Sequence, residues 1–534
     1  MQLKTEQGLR LPLCRVSPYA IYVGMLLLAF PVTPDDAFIT LRYAGNLLGG
    51  AGALFNLGQR VEGYSSPLHL LISAALLGIC GARHVILAAK IVGALLGAWI
   101  LFKTKHVALR VGLSEREAVF AQVLLALNGH FAVAAVNGLE TPFYGAILLL
   151  LVTVTLRERD RRRGVASAFI AFAGAITRPE AVLLFPIFFL LRAHFFYEKG
   201  KVRLLLRDLS VWSACFLVPF SAFLLLRWSY YGALLPNTYF AKQYSWQLAA
   251  SDGFRYLMRP LSPRTASLVL SSRLIRYATP WFFWPPVIAG IWLARKNARC
   301  LVLGAVLLMQ LIFCIKAGGD WMQGWRFMIV VGPSLAIFQC FGLRGLARMV
   351  ARRLARGPAP SPARALTAAQ LSLLGFWVVA FALSPKGPSW PQLGFTTDPG
   401  VLLSATGSVE GGWGAKQVVA AKLVQEMMPS GSTFAFTEIG FTGFLNMDKR
   451  IVDMRGLTDR EIARIKSYKS PVGVSDPEWF KPTSPVGSIM MRRQIDAILT
   501  LEEVPVVVLD SFEKVTAVEG VQLYARRGHQ LSPR

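Results

Sequence analysis

Charge is scarce in this chain: 16% of its 534 residues are Asp, Glu, Lys or Arg, against about 25% in soluble globular proteins. Acids are scarcer still, 30 against 57 Lys and Arg, giving a formal net charge of +27. The six cysteines, Cys14, Cys80, Cys215, Cys300, Cys314 and Cys340, form no C-x-x-C pair, and none follows residue 340. That distribution argues against a disulfide framework or a zinc site and for small buried hydrophobes. His69, His84, His106, His130, His194 and His529 lack metal-ligand spacing. No P-loop, dinucleotide fingerprint or G-x-S-x-G is present, which weighs against an ATP-driven pump or a nucleotide-sugar enzyme.

What is abundant is apolar: hydrophobic residues make up 54% of the chain, in repeated runs of about 15 to 22 residues, the pattern of a polytopic helical membrane protein. Candidate spans are 17–34, 84–102, 118–136, 142–156, 164–177, 181–194, 208–228, 279–294, 300–316, 327–343 and 366–384. Residues 1–16 are too basic and interrupted to span, and the first run lacks a small-residue cleavage site, so it reads as a retained helix. Lys and Arg cluster in short loops between spans, which marks cytoplasmic loops and not nucleic-acid binding. Segment 65–81 is apolar enough to span, but counting it would place every downstream basic cluster outside. As an interfacial or re-entrant helix it leaves Lys103–Arg116, Arg157–Arg163, Arg192–Arg207, Arg295–Arg299 and Arg344–Arg364 inside.

The N-terminus is then cytoplasmic, and the polar motifs converge on the outer face. Asp35 and Asp36 follow the first span at the head of a loop covering 35–83. Adjacent carboxylates beside lipid are costly and need a partner, a metal or a task. One can cap the following helix; the other can deprotonate an acceptor hydroxyl or hold a divalent cation near a leaving phosphate. Asp35 is the preferred base. Glu62 and Tyr64 precede the interfacial helix, and Glu140 separates two spans. Arg178 beside Glu180, Lys242 after Asn237, and Arg326 after Asp320 and Trp321 are cations at the depth of a lipid phosphate. Asp320 and Trp321 suit sugar hydroxyls and ring faces.

Beyond residue 384 the chain becomes more charged, with alternating or short apolar runs. Residues 1–384 thus form a membrane domain and 385–534 a small extracytoplasmic α+β domain, about 150 residues and long enough to hold its own core. Residues 352–364, rich in Arg, Pro and Ala, form a flexible linker. Residues 433–436 and 504–509 are predicted strands, and 459–465 and 492–499 predicted helices.

Taken together, Asp35-Asp36-Ala37-Phe38-Ile39-Thr40-Leu41-Arg42-Tyr43, Val61-Glu62-Gly63-Tyr64, Gly138-Leu139-Glu140-Thr141, Thr177-Arg178-Pro179-Glu180, Pro236-Asn237-Thr238-Tyr239 and Asp453-Met454-Arg455-Gly456-Leu457-Thr458-Asp459 resemble the GT-C fold glycosyltransferases. The likeness is greatest to the bacterial group that adds terminal arabinofuranose to cell-wall arabinan. Ser65-Ser66 and Arg455 depart from that group's usual pattern without touching its acidic core. The resemblance implies eleven or so membrane helices, a C-terminal extracytoplasmic domain and a catalytic acid in the first outer loop, here Asp35 or Asp36. It also implies an inner-membrane enzyme that moves a pentose or hexose, with inversion, from a polyprenyl-phosphate donor to an envelope glycan or glycolipid. The rival reading, a polyprenyl-lipid flippase, would place charges at mid-membrane depth and show inverted repeats.

Overall fold

The computed structural model describes residues 17–31, 33–162, 164–242, 246–258, 283–320, 325–354, 413–465, 483–501, 511–518 and 520–528, with positions 367, 368, 370, 372 and 531. Helices occupy every apolar run expected before residue 344: Pro18–Ala29, Pro67–Arg110, Glu115–Ala126 with Gly129–Val136, Thr141–Arg161, Ala166–Ala175, Pro179–Phe196, Val202–Tyr231, Phe283–Ala294, Ala298–Ala317 and Gly332–Leu354. Of the expected span 366–384 only 367, 368, 370 and 372 are described, all helical; residues 1–16 and most of the linker, whose first residues extend the helix to Leu354, lie outside the described residues. Among the described residues, five helices are long and apolar enough to cross a membrane alone, or six if a pair bent by 64° counts as one. Of the other expected spans, Pro18–Ala29, Ala166–Ala175 and Phe283–Ala294 are shorter apolar helices as described, while Gly332–Leu354 runs 23 residues.

Local sequence explains the boundaries. Ser17, Ser66, Asn128 and Asn297 cap their helices by accepting backbone N–H bonds, and Ser114 forms a capping box with Glu117. Gly81, at φ 71 and ψ 167, breaks Pro67–Arg110 at the end of the 65–81 segment, a conformation that only glycine tolerates without strain. The helix before the break is therefore separate from the span that follows. Along Val202–Tyr231 only Leu209, Trp212, Phe216 and Tyr231 are buried, while Val218 and Leu226 are 67% and 69% exposed. An apolar face this open belongs against lipid.

Two helices cross with their backbones in contact. A Cβ on Gly290 would lie 1.8 Å from the Phe338 carbonyl oxygen, and one on Gly342 would lie 1.9 Å from that of Pro286. Small residues are what permit such approach between membrane helices. Gly342→Val is expected to push Phe283–Ala294 off Gly332–Leu354 and to cost about 1–3 kcal/mol or more, as overpacking does. The readout is a lower thermal midpoint in detergent, and an unchanged midpoint would contradict the crossing.

The C-terminal region is a five-stranded mixed sheet in the order β2-β1-β3-β5-β4, with β1 Thr433–Phe436, β2 Arg450–Asp453, β3 Ala497–Thr500, β4 Phe512–Val518 and β5 Val521–Arg526. Strand β1 runs parallel to β2 and β3, and β5 antiparallel to β3 and β4. Alternation sorts its faces. Ala435, Val452 and Ile498 point under helix Pro485–Arg492. Phe434, Phe436 and Leu499 point toward helix Trp413–Met427 and, beyond it, toward Ile39, Tyr43, Phe55 and Tyr64. Residues 39–64 therefore complete one of the sheet's two cores, so this region does not hold its core alone. The predicted helix 492–499 is a correction: the helix stops at Arg492 and strand β3 starts at Ala497. Residues 504–509 lie outside the described residues.

Candidate functional site

Helix Asp35–Leu48 begins with its two carboxylates in the first turn, the positive end of its dipole. Asp35 turns away from its own helix. Its Oδ2 and Oδ1 accept the N–H groups of Gly440 and Phe441 at 2.8 and 2.7 Å, at the start of helix Ile439–Leu445. A Cβ on Gly440 would lie 2.0 Å from the Asp35 carbonyl oxygen, so only glycine admits this contact. Burial, reinforced by Glu438, pushes the Asp35 carboxyl up to about 8, and the two N–H bonds pull the other way. Asp36 is half-buried and makes no hydrogen bond or ion pair with a described residue. Both oxygens of Asp35, the residue expected as base, thus accept N–H groups of the sheet region, whereas neither oxygen of Asp36 does.

Seven residues on, and so on the same helix face as Asp35, Arg42 is 1% exposed. Its Nε donates to the Phe55 carbonyl (2.8 Å), Nη1 to Gly443 (2.5 Å) and Asn446 (3.0 Å), and Nη2 to Lys449 (2.6 Å). Its guanidinium also lies 4.6 Å from the centre of the Phe55 ring. Asn56 clasps the backbone of Ile451 from both sides, at 2.7 and 3.0 Å. Sequence reasoning assigned neither residue a role, although the seven-residue spacing of Asp35 and Arg42 was a usable sign.

Three residues expected at the substrate are held in protein contacts instead. Glu62 pairs with Arg227 through both oxygens, at 2.9 and 3.0 Å. The Tyr64 hydroxyl meets that of Tyr231 at 2.9 Å, and its ring stands edge-on to Tyr43. Asn237 Nδ2 grips the carbonyls of Gly456, Leu457 and Asp459 at 2.8, 2.9 and 3.2 Å. Burial explains each: a polar group taken out of water needs a partner, and the nearest was protein.

The remaining charged residues converge. Arg178 donates to Glu140 and to Glu180, each at 2.5 Å, with its guanidinium 4.9 Å from the Phe327 ring centre. Arg326 holds Asp320 through two contacts, 2.8 and 3.3 Å. Lys242 closes the short helix Asn237–Ala241 and stays solvent-accessible, with Asp36, Arg326, Asp320 and Arg178 as its neighbouring charges. Asp36 likewise acts on Arg326. From the sheet region, Glu438 approaches Asp36 while paired with Arg455 at 2.5 Å. Trp321 lies outside the described residues.

Cancelling the ion pairs leaves one carboxylate, Asp36, and one ammonium, Lys242, free of any partner among the described residues. Among those residues, no group of three or more His, Cys, Asp or Glu side chains gathers to hold a metal. Each Asp35 oxygen already accepts one backbone N–H group.

Residues 411–530 match the model of a domain of unknown function (DUF8728). The chain is 28% identical over 345 residues to the terminal beta-(1->2)-arabinofuranosyltransferase of Mycobacterium tuberculosis (strain ATCC 25618 / H37Rv), covering 58% of this chain and 52% of that protein. It thus spans about half the length of this curated relative. Among solved structures it superposes on ArnT from Cupriavidus metallidurans bound to undecaprenyl phosphate, with TM-score 0.56 at 15% identity, over 97% of this chain and 98% of that one. The apo state of the same protein matches at TM-score 0.53 and 14% identity, again over 97% and 98%. The chain therefore has the GT-C fold, in a multi-pass bacterial membrane protein with a small C-terminal sheet domain.

Proposed function

We propose that this chain is a membrane glycosyltransferase that moves a sugar from a polyprenyl-phosphate donor to an envelope glycan or glycolipid on the outer face. The observation that carries this reading is the free pair Asp36 and Lys242, set beside the half-committed Arg326. Support also comes from the arabinofuranosyltransferase relative and from the fold of a protein that binds undecaprenyl phosphate. With the N-terminus cytoplasmic, as the basic loops imply, both groups face the compartment where lipid-linked sugars are the available donors.

In this scheme Asp36 takes the proton of an acceptor hydroxyl, whose oxygen attacks the anomeric carbon. The bond to the phosphate oxygen breaks in the same displacement, inverting the centre. The leaving phosphate gains charge as it departs, and Lys242 and the outer edge of the Arg326 guanidinium meet that charge. Arg178, whose single positive charge faces two carboxylates, Glu140 and Glu180, sets the shape and field of the chamber in this scheme.

Lys242→Ala is expected to raise the donor KM about 10- to 100-fold, the equivalent of one charge-assisted contact of about 1.5–3 kcal/mol. Arg178→Lys is expected to lower thermal stability first, because a lone ammonium cannot bridge two carboxylates as the planar fork does. The proposal itself is tested with full-length protein in nanodiscs, supplied with polyprenyl-phosphate arabinofuranose or polyprenyl-phosphate hexoses carrying a radiolabelled sugar. Label arriving on an acceptor glycan, with release of polyprenyl phosphate, supports it. Protein that moves labelled lipid between leaflets without cleaving it would overturn it.

A further inference from the structure

A second concavity lies apart from the charged site. A cleft of about 500 Å³ is walled by Gln59–Val61 of the first outer loop, Tyr230–Gly232 at the end of helix Val202–Tyr231, Thr458–Glu461 and Arg493. Its volume falls in the range of about 300–1,000 Å³ of small-ligand sites. We propose that it seats the acceptor glycan; this rests on the transferase reading above and names the second substrate's place.

The lining chemistry narrows the occupant. Arg493 is held by Asp459 and by Glu461 (2.9 Å to the latter), a fixed network that presents donors and acceptors side by side. Arg460 is pinned to the Tyr231 carbonyl at 2.6 Å and to that of Arg60 at 3.3 Å. The guanidinium of Arg60, itself exposed, lies 5.2 Å from the Tyr230 ring centre. Acids interleaved with the arginines disfavour a phosphate, and Val61 is the sole aliphatic side chain of the lining among the described residues, which disfavours a lipid tail. A sugar chain wants this mixture: its hydroxyls donate and accept at once, and its ring faces lie against tyrosine.

The cleft also stands in the right relation to the chemistry. Its Thr458–Asp459 wall adjoins the carbonyls gripped by Asn237, the first residue of helix Asn237–Ala241, and Lys242 follows that helix directly. Five helical residues rise about 7.5 Å, so one short helix links the cleft wall to Lys242, whose charge Asp36 acts on. Gly232 sits at φ 66, and a Cβ added there would meet nothing within 4 Å, so the rim stays open.

The test measures binding directly, by saturation-transfer NMR on full-length protein in nanodiscs. The probes are a linear arabinofuranosyl pentasaccharide and a linear glucopyranosyl pentasaccharide. At least one is expected to bind, with affinity falling about fivefold or more in Tyr230→Ala, as loss of an aromatic contact does, and falling also in the surface variant Arg60→Ala. The binding is read without donor or transfer, so failure of the base assignment would appear in transfer assays and leave this readout untouched. Neither sugar binding the wild type, or equal binding by wild type and both cleft variants, would overturn the assignment.

Discussion

Asp36→Asn is expected to slow transfer by about 10²–10⁴-fold, the usual contribution of a positioned general base. The amide keeps the shape of the carboxylate and loses the ability to take a proton. Asp36 carries no hydrogen bond to a described residue, so the substitution breaks no fold contact and the thermal midpoint should hold. Donor binding carries the sign of the electrostatics. Asp36 stabilises the charges of Lys242 and Arg326; removing its negative charge leaves those cations freer to hold a phosphate. The donor KM should therefore stay level or fall while kcat collapses. A rise in donor KM with kcat preserved would assign Asp36 to binding instead.

Arg42→Met is expected to be the most damaging single change to the fold. The side chain is fully buried, and its guanidinium supplies hydrogen bonds to four backbone carbonyls, that of Phe55 and three in the sheet region. Methionine fills much of the same space but removes the guanidinium donors, leaving the Phe55 carbonyl only Asn46 and the Asn446 carbonyl only the Lys449 N–H. Hydrogen bonds to charged groups are worth about 1.5–3 kcal/mol each and the losses are not independent, so a total on the order of 3–5 kcal/mol is expected. Arg42→Lys should rescue little, because one ammonium on a flexible stem cannot reach carbonyls fanned around a planar fork. Limited proteolysis would report it: the sheet region should become cleavable while the membrane helices stay protected. A variant as resistant as wild type would show that Arg42 is not the staple.

These two residues show how much was legible in the chain. The helices were, because an apolar run of spanning length has few other uses, and even the separate helix ending at Gly81 followed from where the basic loops lie. Arg492–Leu499 was misread because Ile495, Ala497, Ile498 and Leu499 are apolar enough for either period; strand pairing with β1 and β5 decided it. At the site, Glu140, Arg178, Glu180, Lys242, Asp320 and Arg326 stood out as charges at a membrane boundary, and they do gather. The sequence did not reveal which of them neutralise one another. Asp35 and Asp36 are chemically identical, and what separates them is Gly440, some 400 residues away. Glu62, Tyr64 and Asn237 were set apart by polarity near lipid, yet Arg227, Tyr231 and the Gly456–Asp459 backbone satisfy them. A long-range partner for a buried polar group is a fact of packing, invisible in a linear reading.

The most direct measurement of the account is the transfer rate of Asp35→Asn set beside that of Asp36→Asn, with melting followed in both. Asp35→Asn should keep transfer within about tenfold of wild type and melt earlier, since a side-chain amide can accept one of the two N–H bonds but not both. Asp36→Asn should melt normally and be nearly silent. An active Asp36→Asn beside a stable, inert Asp35→Asn would contradict the assignment.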